Sequence, residues 1–331
     1  MGKMIRTTRR RAAALLSLST ASLVLAGCGS DDETSGEGSG STTVRVATSV
    51  SNSFPFIAVQ AGETLGTWDE SGLDVEVVEG TTPTIGQIMA GGDADIALAG
   101  AGSEAVSIRS GVPMTIVASN LSYWDQRIIA SPGTTSVEDL KGGNFGITGA
   151  GSPGEYTMVR MAEELGWSES DYTFTSLGNL SSLTAALQAG SIDAFAWSSQ
   201  AAFQMEESGD GVILAPGSDF VGENVLQAFA VVDSFAQENP DTVRTFFEAY
   251  FETVERMQAE PQLFIDVLVN EWDVPQPVAE RLAAESLPEL STDGTITDEE
   301  LAGIQDTVGF TLDMSADEVD DVKFTEWTEL S

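Results

Sequence analysis

The sequence Ala90-Gly91-Gly92-Asp93-Ala94-Asp95-Ile96-Ala97 decides how this chain is expected to fold. It lies where two patterns meet, because residues 84–90 are predicted to form a short helix and residues 95–99 a strand. A short helix followed within a few residues by a short apolar strand is the repeating unit of an α/β domain. The same alternation extends in both directions from this stretch.

Short β-branched runs alternate with helical segments from Thr43 onward, which predicts an α/β fold. Strands are predicted at residues 43–50, 73–78, 95–99 and 114–118, with helices at 54–66, 84–90 and 103–110. A second array follows, with strands at 127–131, 144–148, 172–177, 194–197 and 212–214 and helices at 153–166 and 181–189. Residues 225–232 form an extended apolar run, and the chain beyond Asn239 is predicted to be helical. Since strands stop well before the C-terminus, the chain can return to its first domain.

An export signal is predicted at the start of the chain. A basic segment precedes an apolar run at residues 12–24, which is too short to span a bilayer comfortably. At its end, Leu25-Ala26-Gly27-Cys28 resembles the lipobox of bacterial lipoproteins, which implies cleavage before Cys28 and diacylation of this only cysteine. A buried free cysteine beside an ordinary cleavage site is the alternative. Thr8-Arg9-Arg10 partly resembles a twin-arginine signal, so the export route stays open.

Residues 1–28 are therefore predicted to be a lipoprotein signal peptide. Residues 29–42 contain no apolar side chain and are rich in glycine, serine and acids, which predicts a flexible tether. We expect the mature protein to be held by palmitate-type lipid on the extracytoplasmic face of the cell membrane.

The composition excludes several kinds of site. The 331 residues contain no histidine and a single cysteine, so zinc ligands, neutral-pH general bases and thiol nucleophiles are scarce. Lysine and arginine number 14 against 52 acidic residues, a net charge of −38 that argues against nucleic acid and anionic lipid as partners. We interpret this charge as adaptation to a salty medium. Binding of a cationic ligand is the alternative interpretation.

Several segments in this order resemble the nitrate, sulfonate, taurine and thiamine-precursor type of periplasmic substrate-binding proteins, closest to the aliphatic-sulfonate branch. They are the first-strand loop leading to 56–60, Gly72-Leu73-Asp74-Val75-Glu76, the 90–97 stretch, Gly111-Val112-Pro113, Val137-Glu138-Asp139-Leu140-Lys141-Gly142, Gly149-Ala150-Gly151-Ser152 and the segment 186–194. The resemblance covers residues 44–313. It implies a two-domain clamp of type II with two crossovers, near 121–126 and 220–225, and a ligand cleft between the domains. Domain 1 would comprise residues 43–122 and 225–331, and domain 2 residues 126–220.

Ligand-binding residues are expected where strands end and helices begin, because helix N-termini present free backbone N–H groups there. The candidates are Ser51, Asn52, Ser53, Phe54, Gly102, Ser103, Trp124, Arg127, Gly151, Ser152, Trp197 and Ser198. Some have purely structural alternatives: capping of its helix for Ser152, and packing in the core for Phe54 and Trp197. For Trp124, with Tyr123, the alternative to lining the cleft is covering the hinge. Arg127 is the candidate for binding an oxyanion.

The resemblance implies a solute receptor for an ATP-driven (ABC) importer, which captures a small molecule by hinge closure and docks on permease subunits. A sulfonate, nitrate or taurine-like anion is the expected ligand, and a planar ring such as a thiamine pyrimidine precursor or an aromatic carboxylate is the alternative. The sulfonate branch has an aromatic-Asp-Pro stretch where this sequence has Trp197-Ser198-Ser199. A sensor lipoprotein and an enzyme of this fold are further alternatives. We expect a monomer with no catalytic residue, metal or cofactor.

Overall fold

The computed structural model describes residues 41–50, 52–81, 84–315, 318–319 and 322–330, which belong to one compact unit at residues 40–331. The predicted signal peptide, Cys28 and the candidate ligand residue Ser51 lie outside the described residues, as does nearly all of the predicted tether. The first strand begins at Thr42, one residue earlier than predicted.

Strands and helices alternate along the first two thirds of the described chain, and helices follow. The strands β1 to β10 are Thr42–Thr48, Leu73–Glu79, Ile96–Gly100, Met114–Leu121, Gln126–Ala130, Asn144–Ile147, Thr173–Ser176, Ala194–Ser198, Val212–Pro216 and Gln227–Val232. The helices α1 to α13 are Ile57–Leu65, Thr67–Ser71, Ile85–Gly91, Ala101–Arg109, Pro153–Glu164, Leu180–Gln188, Ser199–Ser208, Ser218–Val221, Asp233–Glu238, Pro240–Ala259, Pro261–Asn270, Gln276–Glu285 and Asp298–Leu312. Within the described ranges, no helix is long and apolar enough to cross a bilayer.

The strands form two five-stranded sheets. The first sheet has the order β2-β1-β3-β10-β4, and the second has the order β7-β6-β8-β5-β9. In the first sheet, β10 lies antiparallel between β3 and β4. In the second sheet, β5 lies antiparallel between β8 and β9. The chain therefore leaves the first sheet after Leu121, builds the second sheet, and returns as β10. The division into two domains at the predicted boundaries stays a prediction.

The parallel strands of each sheet point the same way, so their carboxyl ends share one edge. Helix α4 begins directly after β3, and α7 begins directly after β8. Helix α5 begins a short loop after β6. The first turns of these three helices therefore lie at the edges where ligands bind in open α/β sheets.

The largest apolar core packs the first sheet against the C-terminal helices. Helix α10 presents one buried face to it, with apolar side chains at the 3- and 4-residue spacing of an amphipathic helix: Val243, Phe246, Phe247, Tyr250, Val254 and Met257. The ring of Phe229 on β10 lies 4.7 Å from that of Tyr250. Smaller cores lie around the second sheet.

Some predicted helices differ from those observed. The predicted helix at 54–66 begins as a 3-10 turn, Phe54–Phe56, and continues as α1, which ends at the left-handed Gly66 (φ 78°). Helices α2, α7, α8 and α9 were not predicted. Helix α2 has five residues between Gly66 and Gly72, which is too short for a periodic pattern.

Gly303 on α13 marks a close approach that leads to a stability prediction. A Cβ atom there would lie 2.4 Å from the carbonyl oxygen of Glu223 and 3.0 Å from the Cα of Asn224. Because both obstacles are backbone atoms, we expect Gly303→Ala to lower the free energy of unfolding by about 1–3 kcal/mol. Urea denaturation followed by circular dichroism measures this change.

Gly91→Ala is the matched control, since Gly91 also lies in a helix. The nearest atom to its added Cβ is a carboxylate oxygen of Asp93 at 3.2 Å, at the end of a side chain that can rotate. Alanine has the higher helix propensity, so this variant should be as stable as the wild type or slightly more stable. Equal stability of the two variants would contradict the packing argument.

Candidate functional site

Two contact regions connect elements of the first sheet with elements of the second. In the first region, Gln200 in the first turn of α7 donates its side-chain N–H to the carbonyl oxygen of Asn52, at 3.1 Å. Glu206 on the same helix pairs with Arg281 of α12, at 2.6 Å. The loop after β1, whose described residues include the candidates Asn52 and Ser53, is thus held against the start of α7.

Helix α13 forms the second contact region. The carboxylate of Asp306 accepts hydrogen bonds from the Tyr156 hydroxyl and from Arg160, both on α5. The Thr311 hydroxyl lies 3.3 Å from the carbonyl oxygen of Gly151, the candidate residue before α5. The loop that was predicted to bind ligand is therefore in contact with α13.

Ser152 caps α5, as its structural alternative predicted. Its hydroxyl oxygen accepts the backbone N–H of Glu155 at 3.3 Å. The Glu155 carboxylate accepts the backbone N–H of Gly151 at 2.6 Å, so the reciprocal bond reaches one residue before the cap. Gly151 has a positive φ of 75°, which favours glycine. A ligand contact of Gly151 and Ser152 stays a prediction.

The cap of α5 gives a second stability prediction. Ser152→Ala removes the side-chain acceptor of the Glu155 N–H, so it should lower the free energy of unfolding by about 1 kcal/mol. Ser152→Asn keeps an acceptor and should stay within a few tenths of a kcal/mol of the wild type. Chemical denaturation of the three proteins side by side gives both values. If both variants lost the same free energy of unfolding, the Ser152 hydroxyl would not stabilise the protein by capping α5.

Gly102 and Ser103 lie in the first turn of α4, whereas the helix was predicted to begin at Ser103. Gly100 occupies the N-cap position, and α4 begins at Ala101. The start of α4 was predicted two residues too late. Serine is a favoured N-cap residue, and Ser103 lies two residues after the first residue of the helix. Gly102 is buried, and a Cβ added to it would lie 2.8 Å from the Thr307 methyl group, so the glycine lets α13 approach α4.

Arg127 is buried between aromatic rings and polar partners. Its Nε donates to the Ser199 hydroxyl at 2.9 Å, and its guanidinium carbon lies 5.6 Å from the ring centres of Tyr123 and Phe203. The carboxylate of Glu285 lies 3.9 Å away. These contacts hold the side chain that was predicted to capture an oxyanion, and its role toward a ligand stays a prediction.

Asp125, which sequence reasoning missed, completes this buried group. Its carboxylate accepts the backbone N–H of Ser199 at 3.2 Å and the hydroxyl of the same residue. Burial raises the pKa of Asp125 to about 6, against the opposing effects of the Ser199 hydrogen bonds and the charge of Arg127. The group joins the segment between β4 and β5 to the start of α7. A lone aspartate in a short linker gave no pattern from which to predict it.

Two aromatic candidates lie in the core instead of at an open surface. Phe54 is fully buried, with its ring 6.1 Å from that of Phe264 in an edge-to-face contact. Trp124 is 2% exposed, donates its ring N–H to the Thr157 hydroxyl at 2.8 Å and lies beside Tyr156. Burial of apolar area holds both rings inside, as their structural alternatives predicted. A contact of either ring with a ligand stays a prediction.

The remaining candidates are partly accessible. Trp197 is half-buried, pairs with Arg127 across β5 and β8, and packs on the core that contains Phe195. Ser198 is the N-cap residue of α7 without a side-chain capping bond. Asn52 is exposed and has a positive φ of 50°. Ser53 precedes the 3-10 turn and is partly exposed. Their role toward a ligand stays a prediction.

Four described residues have buried acceptor oxygens without a partner. They are Glu104, Gln200, Asn224 and Gln227. Glu104 directly follows the predicted site residue Ser103, and Gln200 lies two residues after the predicted site residue Ser198. Glu104 could have been singled out as one acid between small residues in a helix that starts at a strand end. The described residues include no cluster of three or more acidic, histidine or cysteine side chains that could hold a metal ion.

Comparisons with known proteins agree with this architecture. A binding protein of Brucella abortus (strain 2308) is 26% identical over 241 residues, which are 70% of this chain and 74% of that protein. The alkanesulfonate-binding protein SsuA from Xanthomonas axonopodis pv. citri, bound to MOPS, superposes with a TM-score of 0.70 at 17% identity, covering 86% of this chain and 98% of that one.

The nitrate-binding protein NrtA from Synechocystis PCC 6803 superposes with a TM-score of 0.63 at 15% identity, covering 82% and 81% of the two chains. These neighbours confirm the predicted α/β fold of the periplasmic binding proteins. The family model described as "NMT1/THI5 like" matches residues 53–263, more than half of the chain. The chain therefore belongs to the NMT1/THI5-like family.

Proposed function

We propose that this protein is the extracytoplasmic solute-binding component of an ABC-type importer, anchored by lipid at Cys28 and acting as a monomer. The observation that carries the proposal is the arrangement of the two sheets. The loop after β1 contacts the start of α7, and the loop before α5 contacts α13, so loops at strand ends of both sheets lie next to elements of the other sheet. Solutes bind at such edges in open α/β sheets. The family and the two named structural neighbours, which bind an alkanesulfonate and nitrate, support the same role.

In the proposed cycle, residues 43–122 with 225–331 form one domain and residues 126–220 the other. A small molecule enters between them, the domains close on it, and the closed form docks on permease subunits. The two crossovers, near residues 121–126 and 220–225, act as the hinge. The α7 and α13 contacts form on closure and separate on opening.

The test is a thermal-shift panel on the soluble protein from Ser41 onward, with alkanesulfonates, taurine, nitrate, aromatic carboxylates, pyrimidines and amines. A rise of several degrees with one class supports solute capture. Small-angle scattering with that solute should show a smaller radius of gyration. A binding solute without compaction would argue against hinge closure, and no binder in any class would argue against the importer role.

Ser53→Trp is designed to obstruct the proposed cleft, and Ser110→Trp, at the exposed end of α4, is its control. The first variant should lose the thermal shift and the second should keep it. A shift with sulfonates or taurine alone would support the expected anion. A shift with ring compounds alone would favour the planar-ligand alternative, with Trp197 as the stacking surface.

A further inference from the structure

Five of the six buried polar side-chain atoms without partners in the described chain are acceptor oxygens of acidic or amide groups. Both carboxylate oxygens of Glu104 and the amide oxygens of Gln200, Asn224 and Gln227 lack a hydrogen-bond donor among the described residues. The sixth such atom, the Ser286 hydroxyl, lies at the end of α12. Buried polar atoms in native proteins nearly always have a partner, so a set of orphaned acceptors calls for a source of donors.

Glu104 is the ionisable residue of this set. It lies in the first turn of α4 and is 1% exposed. Helical side chains lean toward the N-terminus, which brings its carboxyl group to the carboxyl end of β3, beside the backbone of Ala99. Glu104 therefore points toward the edge of the first sheet where a ligand is proposed to bind.

Two of the amide acceptors, those of Gln227 and Asn224, belong to residues near the start of α4. Gln227 is the register partner of Gly100, the N-cap of α4. Asn224 donates its amide N–H groups to the Gly303 carbonyl at 3.0 Å and the Thr307 hydroxyl at 3.1 Å. Since a carbonyl can only accept, this contact fixes which end of the amide is nitrogen and leaves the oxygen unpaired.

The same reasoning applies to Gln200 on the opposite side. Its amide nitrogen donates to the Asn52 carbonyl, so its unpaired atom is the oxygen. Unpaired acceptor oxygens therefore occur both on α4, which follows a strand of the first sheet, and on α7, which follows a strand of the second. Those on α4 belong to the carboxyl group of Glu104.

The neighbours of α4 provide no charge to balance Glu104. Strands β3, β4 and β10 and helix α3, which pack against α4, carry no charged side chain. On α13, Asp306 is bound by Tyr156 and Arg160, and Glu300 accepts hydrogen bonds from Thr297. Burial raises the pKa of Glu104 well above its ordinary value, and the Ala99 backbone opposes the shift.

Basic side chains of the described chain are largely committed to carboxylates, which disfavours an anionic ligand. The pairs are Arg45–Asp95, Arg127–Glu285, Lys141–Asp171, Arg160–Asp306, Arg244–Asp241, Arg256–Glu70, Arg281–Glu206 and Lys323–Asp233. A net charge of −38 in addition attracts cations toward the protein.

We propose that the cleft binds a small organic cation rich in N–H donors, an amine, amidine or guanidine, with Glu104 as its charge partner and the three amide oxygens as further acceptors. This rests on the proposed solute-binding function and names its ligand class. On binding, the carboxyl group of Glu104 gives up its proton to solvent and pairs with the cation. The orphaned acceptors then receive the donors that the described residues do not supply.

The test measures binding by isothermal titration calorimetry at pH 7 in two buffers of different ionisation enthalpy. The probes are agmatine, putrescine and acetamidine, with choline as a cation that has no N–H donor and taurine, ethanesulfonate and nitrate as anions or zwitterions. We expect an N–H cation to bind with release of protons and choline to bind at least 10-fold more weakly. Glu104→Gln should weaken the cation by about 10- to 100-fold and abolish the proton release.

Glu299→Gln is the matched control, because Glu299 lies in the first turn of α13 but is exposed. It should bind as the wild type does. Thermal melts of the unliganded proteins check folding, and Glu104→Gln should be at least as stable as the wild type. Equal cation affinity in Glu104→Gln, tighter binding of the anions, or no binding of any cation would each overturn the proposal. Tight anion binding would leave the solute-binding function standing, whereas no binder of any class would count against both.

Discussion

Replacing Trp68 with alanine should lower the free energy of unfolding by about 3–5 kcal/mol. The side chain is 1% exposed, and its ring lies flat on that of Phe246, with centres 5.3 Å apart and planes 5° from parallel. Its ring N–H donates to the Val59 carbonyl at 2.9 Å. The variant therefore loses buried area and stacking, and leaves a buried carbonyl without its donor.

Urea denaturation followed by far-ultraviolet circular dichroism measures the loss without relying on tryptophan fluorescence. Trp167→Ala is the control, since Trp167 is half-buried and its main polar neighbour is the Lys141 ammonium group, 5.9 Å from the ring centre. Its loss should be about 1 kcal/mol. If both variants lost the same amount, packing around Trp68 would not be the source of the stability.

The stability of the wild type should fall relative to Asp125→Asn as the pH rises from about 4 to 7. Burial raises the pKa of Asp125 from 3.8 to about 6, so between these values the folded protein holds a proton that the unfolded chain has lost. Stability falls with rising pH wherever the folded state binds more protons. The shift corresponds to about 3 kcal/mol, present in full below pH 4 and lost above pH 6. Asparagine keeps an acceptor for Ser199 and does not titrate.

Denaturation of both proteins at half-unit pH steps gives the difference directly. Asp171→Asn is a control of opposite sign. Hydrogen bonds from Ser168 lower the pKa of the Asp171 carboxyl group, so the wild type should gain stability over that variant as the pH rises through the acid range. A pH-independent difference between the wild type and Asp125→Asn would show that Asp125 does not change its protonation in this window.

The alternation of strands and helices could be predicted from the sequence because it depends on local patterns. Glycine after Leu65 ends α1, and Pro153 after Ser152 starts α5, so both boundaries follow from backbone preferences. The direction of each strand relative to its neighbours in the sheet could not be predicted from local patterns. Nothing local in residues 227–232 tells that β10 runs antiparallel to β3, since this depends on the path of the whole chain.

Site residues were harder to predict than the fold. Among the exposed or half-exposed candidates, Asn52 and Ser53 follow β1, and Trp197 and Ser198 are the last two residues of β8. Phe54 and Trp124 are buried because an aromatic ring at a strand end serves the core as well as a cleft. Asp125 and Glu104 were missed because their importance comes from burial without charge compensation, and a single sequence does not reveal which of 52 acids is buried.

The segment near the end of the chain lies along β4, the outermost strand of the first sheet. Ile116 and Phe324 form a parallel bridge, with N–H donation from Ile116 to Lys323 and from Thr325 to Ile116. The ring of Trp327 then packs against Phe247 and Phe251. Without this cover, the free N–H and C=O groups of β4 would be open to pairing with another molecule. This segment therefore covers part of an exposed sheet edge, and a chain shortened before Lys323 should aggregate before it loses its fold.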